Sequence, residues 1–148
     1  MTIKDRISAD MKEAMKARDQ VRLDTLRSVV SAFNYRRIEA GADLSEEDQL
    51  AVVQRLVKQR ADSIAEFSKA GRTELADKET REREILQKYL PAQRSADEVR
   101  AVVRQALAGL PAEGRNQGAL MKVVMPQLRG LADGNLVRTI AAEELASA

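Results

Sequence analysis

At three candidate helix starts in this chain a Ser or Thr is followed three positions later by Asp or Glu, and each time apolar residues at helical spacing come next. The pairs are Thr2 with Asp5, Ser45 with Asp48, and Ser95 with Glu98. Such a pair is a capping box, in which side chains satisfy N–H groups that the first turn of a helix leaves without partners. After the first box, Ile3, Ile7, Met11 and Met15 recur at four-residue spacing. Asp19 supplies a cap for a second helix with Leu23, Leu26, Val29, Val30 and Phe33 on its apolar side. Gly41 is placed to end it in a left-handed conformation. The second box opens a long helix to about Ala70, lined by Leu50, Val53, Leu56, Val57, Ile64 and Phe67. Gly71 is the next stop signal, and a fourth helix is predicted over Thr73 to Tyr89. Its charged middle is supported by opposite charges at three- and four-residue spacing. Leu75, Ile85, Leu86 and Tyr89 supply its apolar contacts.

Leu90-Pro91 ends that helix, because proline disfavours helix for the residue before it. After Pro91 to Arg94, the third box opens a short helix with Val99, Val102, Val103, Ala106 and Leu107, closed by Gly109 and Pro111. Gly114 to Asn116 reads as a loop. Leu120, Met121, Val124 and Leu128 then give a helix bent or ended near Pro126. Asp133 caps a last helix with Leu136, Val137 and Ile140 inward. No period-2 alternation appears, so the fold class is all-α. The expected organisation is a four-helix N-terminal domain over 1–92 and a three-helix tail domain over 95–148. A tail of about 55 residues buries little surface alone.

With 44% apolar but only 3% aromatic residues among 148, the cores must be aliphatic. Phe33 and Phe67 fall on apolar stripes and are expected in the core. Tyr35, beside Arg36 and Arg37, reads as a half-buried helix residue rather than a platform for stacked bases. No Cys and no His are present. Disulfides, zinc sites built on those ligands and Ser-His-Asp triads are therefore excluded. The N-terminus lacks an apolar leader-like run, and no stretch approaches the ~20 apolar residues of a membrane span. The expectation is a cytoplasmic location and no membrane partner.

The 25 basic and 23 acidic side chains nearly balance, but their distribution is uneven. Lys16 to Arg37 holds six basic residues against two acidic ones, and Arg115 to Arg138 holds four against one. Mixed-sign helix faces produce such fluctuations as well.

The segment from Gln117 to Leu145 (QGALMKVVMPQLRGLADGNLVRTIAAEEL) resembles the tail module shared by YqeY proteins and the B subunit of the tRNA-dependent amidotransferase. The matching parts are Gly118, Lys122 to Pro126, Leu128, Arg129-Gly130, Ala132-Asp133-Gly134 and Leu136-Val137. Asp10 to Arg27, Val57 to Glu79 and Glu84 to Gln93 resemble further signatures of the same GatB/YqeY family, in the same order. Leu131 departs from the pattern, standing where relatives often carry a basic residue. The resemblance implies a module that binds tRNA or other structured RNA through its backbone, remote from any chemistry. Lys122, Arg129, Gly130, Asp133 and Arg138 are the candidate contacts, with Arg36 and Arg37 as a second cluster. The bottom-up reading fits: Arg129-Gly130 precedes a helix start whose N–H groups favour anions, with Lys122 and Arg138 in the same basic segment. Asp133 would compete for those N–H groups. A plain turn, with Gly130 and Gly134 serving backbone shape, explains the same residues.

The resemblance also implies alternatives. One is a protein-interaction module docking on a tRNA synthetase or amidotransferase. Another is a carbon–nitrogen ligase activity using glutamine as amide donor. The residues argue against autonomous catalysis: no P-loop, dinucleotide fingerprint or nucleophile elbow is present. No catalytic residue, metal ligand or cofactor is assigned. The acidic run Glu46-Glu47-Asp48 sits at a helix start, where it complements the dipole.

Overall fold

The computed structural model describes residues 1–148 as seven α-helices and one short 3-10 turn, without strands. The helices are α1 (Ile3–Ala17), α2 (Gln20–Ala40), α3 (Glu46–Lys69), α4 (Thr73–Gln87), α5 (Ala96–Ala108), α6 (Gln117–Leu128) and α7 (Gly134–Ser147). The chain divides into two compact units, Met1–Leu90 and Pro91–Ala148.

All three capping boxes form as read. Thr2, Ser45 and Ser95 each accept from the backbone N–H three residues on, and Asp5, Asp48 and Glu98 reach back to the cap. In the first unit, Ile7, Leu26, Val29, Val53 and Leu86 are fully enclosed, with Phe33 and Tyr89 beside them. The Tyr89 hydroxyl donates to the Asp10 carboxylate on α1, and Asp10 also lies 3.6 Å from Arg22 on α2. Arg6 stacks over the Tyr89 ring at 5.1 Å and donates to the Lys88 carbonyl at 3.2 Å. These contacts fasten the end of α4 to α1. Burial and the neighbouring Asp10 push the Tyr89 phenol far above its ordinary value, so it remains a donor.

In the second unit, Val99, Val103, Leu120, Val124, Val137 and Ala141 are fully enclosed between α5, α6 and α7. Its first residues are tied to its own last turn: Gln93 Nε2 donates to the Gly130 carbonyl at 2.9 Å, and Arg94 N–H to the Leu131 carbonyl at 2.7 Å.

Several local expectations change. The α1 stripe at four-residue spacing drifts, because each such step over-rotates by about 40° on a 3.6-residue helix. Ile7 and Ala14 are therefore the buried pair, and Met15 is exposed. On α3 the enclosed residues are Gln49, Val52, Val53 and Leu56, while Leu50, Ile64 and Phe67 are half-buried. Phe67 is thus not core. Tyr35 is 66% exposed rather than half-buried, since Phe33 is the last buried residue of α2. α6 does not end at Pro126 but continues to Leu128. α1 stops at Arg18, which takes a left-handed φ of 55° and passes directly to the Asp19 cap of α2.

A side chain in that conformation carries strain of about 1–2 kcal/mol that glycine avoids. Arg18→Gly is therefore expected to stabilise the protein, offset in part by the greater freedom of its unfolded chain. A urea midpoint lowered by this substitution would contradict the assignment.

Candidate nucleic-acid interface

The candidate residues of the second unit lie along α6, the following turn and α7. Lys122 is exposed on α6. Arg129 is the exposed C-cap of the same helix, its N–H donating to the Met125 carbonyl at 2.8 Å. Gly130 is buried, at φ 80°. Leu131 and Ala132 N–H both return to the Leu128 carbonyl, at 2.8 and 3.1 Å, closing the turn. Glycine is thus required at 130 by backbone shape. Gly134 is not required in that way: it is the first residue of α7, and a Cβ there would meet nothing within 4 Å. Leu131 is half-buried, so the position where relatives often carry a basic residue is only partly open to solvent.

Asp133 caps α7 by accepting from Asn135 N–H at 3.2 Å. Its carboxylate therefore takes an amide that an anion at this helix start would need. Cationic side chains, not the helix terminus, are the anion-attracting groups of this face. Arg138 Nη1 donates to the neutral Asn135 side chain at 3.2 Å, and its carbonyl accepts from Gln117 Nε2 at 3.2 Å. That second bond sets the start of α6 against α7.

Several other charges of this unit are paired with one another. Arg94 pairs with Glu98 at 3.1 Å. Arg100 meets Glu143 at 2.7 Å and Glu144 at 2.8 Å, and Arg104 meets Glu144 at 3.1 Å. Bonds from Arg100 and Arg104 hold the Glu144 carboxyl below the usual range. Sequence alone missed this cluster, because its partners stand some forty residues apart and leave no local pattern.

Arg36 and Arg37 belong to the first unit, in the last turns of α2. Arg36 pairs with Glu39 at 3.6 Å. Arg37 lies at the negative end of the helix dipole, where a cation is favoured by structure alone. It also lines a small polar cavity with Lys4, Asn34, Asp43 and Gln49, none of which the sequence singled out. Elsewhere in the basic stretch Arg22 faces Asp10 and Glu13, and Arg27 faces Asp24. Glu46, Glu47 and Asp48 form the first turn of α3, with Asp48 bonded to Ser45. No group of three or more Asp or Glu is arranged to hold a metal ion, and no helix is long and apolar enough to cross a membrane.

Fold and geometry define an all-α protein of two aliphatic-cored units, the second with exposed cations on α6 and α7. A family model described as Yqey-like protein matches residues 4–145, and the chain belongs to that family. It is also similar to proteins named "Altered inheritance of mitochondria protein 41, mitochondrial". With that of Kluyveromyces lactis it shares 41% identity over 108 residues, covering 70% of this chain and 58% of the relative. With that of Clavispora lusitaniae it shares 33% over 127 residues, covering 82% and 74%. A third, from Lachancea thermotolerans, is 39% identical over 85 residues, covering 57% of this chain and 46% of the relative. The chain thus spans between about half and three quarters of these relatives. Their names place them in mitochondria, which overturns the cytoplasmic expectation. That expectation rested on the lack of an apolar leader-like run and of a membrane-length apolar stretch, and neither excludes a mitochondrial location.

Because Glu144 is held below the ordinary carboxylate value, its pairing stabilises the folded unit fully above that value. The contribution is lost as pH falls through the lowered one. Glu144→Gln is expected to lower the melting temperature at neutral pH and to have a smaller effect below about pH 4. Equal losses at both pH values in thermal melts would contradict this.

Proposed function

We propose that this chain is a non-catalytic accessory module that holds tRNA or another structured RNA by its backbone, related to the tRNA-dependent amidotransferase system. In this reading the four helices of the first unit and the three of the second act as separate domains, with the tail as the principal RNA-contacting part. The observation that carries the reading is the excess of basic over acidic residues between Arg115 and Arg138. Arg94, Arg100 and Arg104 are matched by Glu98, Glu143 and Glu144. The stretch from Arg115 to Arg138 carries four basic residues to one acid, Asp133. A surface of that kind attracts phosphates without reading sequence. Family membership supports the same assignment, because the tail resembles the appendage of the amidotransferase B subunit.

A second reading, docking on a synthetase or amidotransferase, is favoured by one observation. Tyr35 and Ile38 stand one turn apart on α2 and are 66% and 74% exposed. A pull-down from nuclease-treated lysate separates the two, since only a protein contact survives loss of the RNA.

For the RNA reading, folded tRNA is expected to bind with affinity that falls steeply with salt. Arg129→Ala and Lys122→Ala should each weaken binding and reduce the slope of log K against log salt by about 1. Arg94→Gln, which removes a cation already matched by Glu98, should change it little. No tRNA binding at low salt, or equal losses in all three variants, would sink the assignment.

A further inference from the structure

Around the end of α2 the first unit has a partly open cavity of about 160 Å³ lined by Lys4, Phe33, Asn34, Arg37, Asp43, Leu44 and Gln49. Three parts of the chain build it. Lys4 comes from the first turn of α1, Phe33, Asn34 and Arg37 from the last turns of α2, and the others from the α2–α3 loop and the start of α3. The loop is fixed by Gly41 at φ 68°, whose N–H returns to the Arg37 and Ile38 carbonyls at 2.9 and 3.2 Å. A wider opening lined by Arg37, Ile38, Gly41, Ala42 and Asp43 adjoins it, sharing Arg37 and Asp43.

The lining combines an apolar floor with convergent polar groups, the usual make-up of a small-molecule site. Phe33 and Leu44 give the floor. Gln49 is only 5% exposed, a rare burial for a carboxamide. Its Oε1 accepts from Lys4 N–H at 3.0 Å and its Nε2 donates to the Leu44 carbonyl at 3.3 Å. Those two bonds hold the amide in place and leave it one further donor and one further acceptor position. The nearby capping carboxylates are engaged elsewhere, that of Asp5 accepting from Thr2 N–H and that of Asp48 from Ser45 N–H. The charged groups of the lining are therefore two cations, Lys4 and Arg37, and one carboxylate, Asp43.

We propose that this cavity binds a free acidic α-amino acid. Two carboxylates and one ammonium complement two cations and one carboxylate, group for group and in net charge. Asn34 and Gln49 supply neutral hydrogen bonds to the carboxylate oxygens. A simple dianion such as phosphate satisfies the cations but leaves Asp43 opposed to it. The assignment does not rest on the RNA reading and is tested without RNA.

The test is an NMR titration of the isotope-labelled full chain with L-glutamate. Parallel arms use glutarate, which lacks the ammonium, L-glutamine, which lacks the second carboxylate, and inorganic phosphate. L-Glutamate is expected to give saturable shifts at the amides of Lys4, Asn34, Asp43 and Leu44, with a Kd about tenfold or more below the other three. A tenfold change corresponds to about 1.4 kcal/mol, within the range of one charged hydrogen bond. Asp43→Asn should remove the preference for glutamate over glutarate, and Arg37→Gln should weaken glutamate about tenfold. Dispersed amide spectra in both variants report that the fold is retained. The proposal is overturned by no saturable shift at millimolar glutamate, or by any control ligand binding as tightly. It is overturned equally by an Asp43→Asn protein that keeps the preference for glutamate, or by an Arg37→Gln protein that binds it unchanged.

Discussion

Ile7, Leu26, Val53 and Leu86, one from each of the first four helices, are completely shut off from solvent. Their mutual burial sets how α1 to α4 pack, and almost nothing else in that unit could. The chain has no disulfide and few aromatics, so removal of aliphatic surface from water is the main force available. The second unit repeats the solution with Val99, Val103, Leu120, Val124 and Val137. Polar contacts then refine what the aliphatic layers decide. The Tyr89–Asp10 bond joins α4 to α1, and the Arg100–Glu144 pair joins α5 to α7. Each connects surfaces that burial has already brought together.

Local chemistry was readable, and long-range chemistry was not. The capping boxes at Thr2, Ser45 and Ser95 each need a partner only three residues away, so the sequence contains the whole interaction. The left-handed Arg18 carried no glycine signal to announce it. Gln49 looked like one more polar residue at an acidic helix start. It is buried because Lys4 N–H, 45 positions earlier, and the Leu44 carbonyl satisfy its amide. Pro126 misled for a related reason: packing of Val124 and Leu128 on either side holds α6 together despite the missing N–H.

The candidate interface shows the same division. Asp133 as a cap and Gly130 as a turn residue were foreseeable from their immediate neighbours. That Arg100 and Arg104 find their carboxylates on α7 required the folded arrangement. The basic run of the first unit illustrates the converse: counted along the sequence it stood out, yet Arg22, Arg27 and Arg36 each face an acid in space.

Pro126 has one more effect. Its ring nitrogen cannot donate, so the Lys122 carbonyl, four residues back on α6, loses the amide that a regular helix would offer. Lys122 and Pro126 are both exposed, so water can reach that side of the helix. A hydration point is thus built into the outer side of the helix, on the same residue as an exposed ammonium. A surface that settles against this part of the protein has to offer that oxygen a donor of its own or bond to it through water.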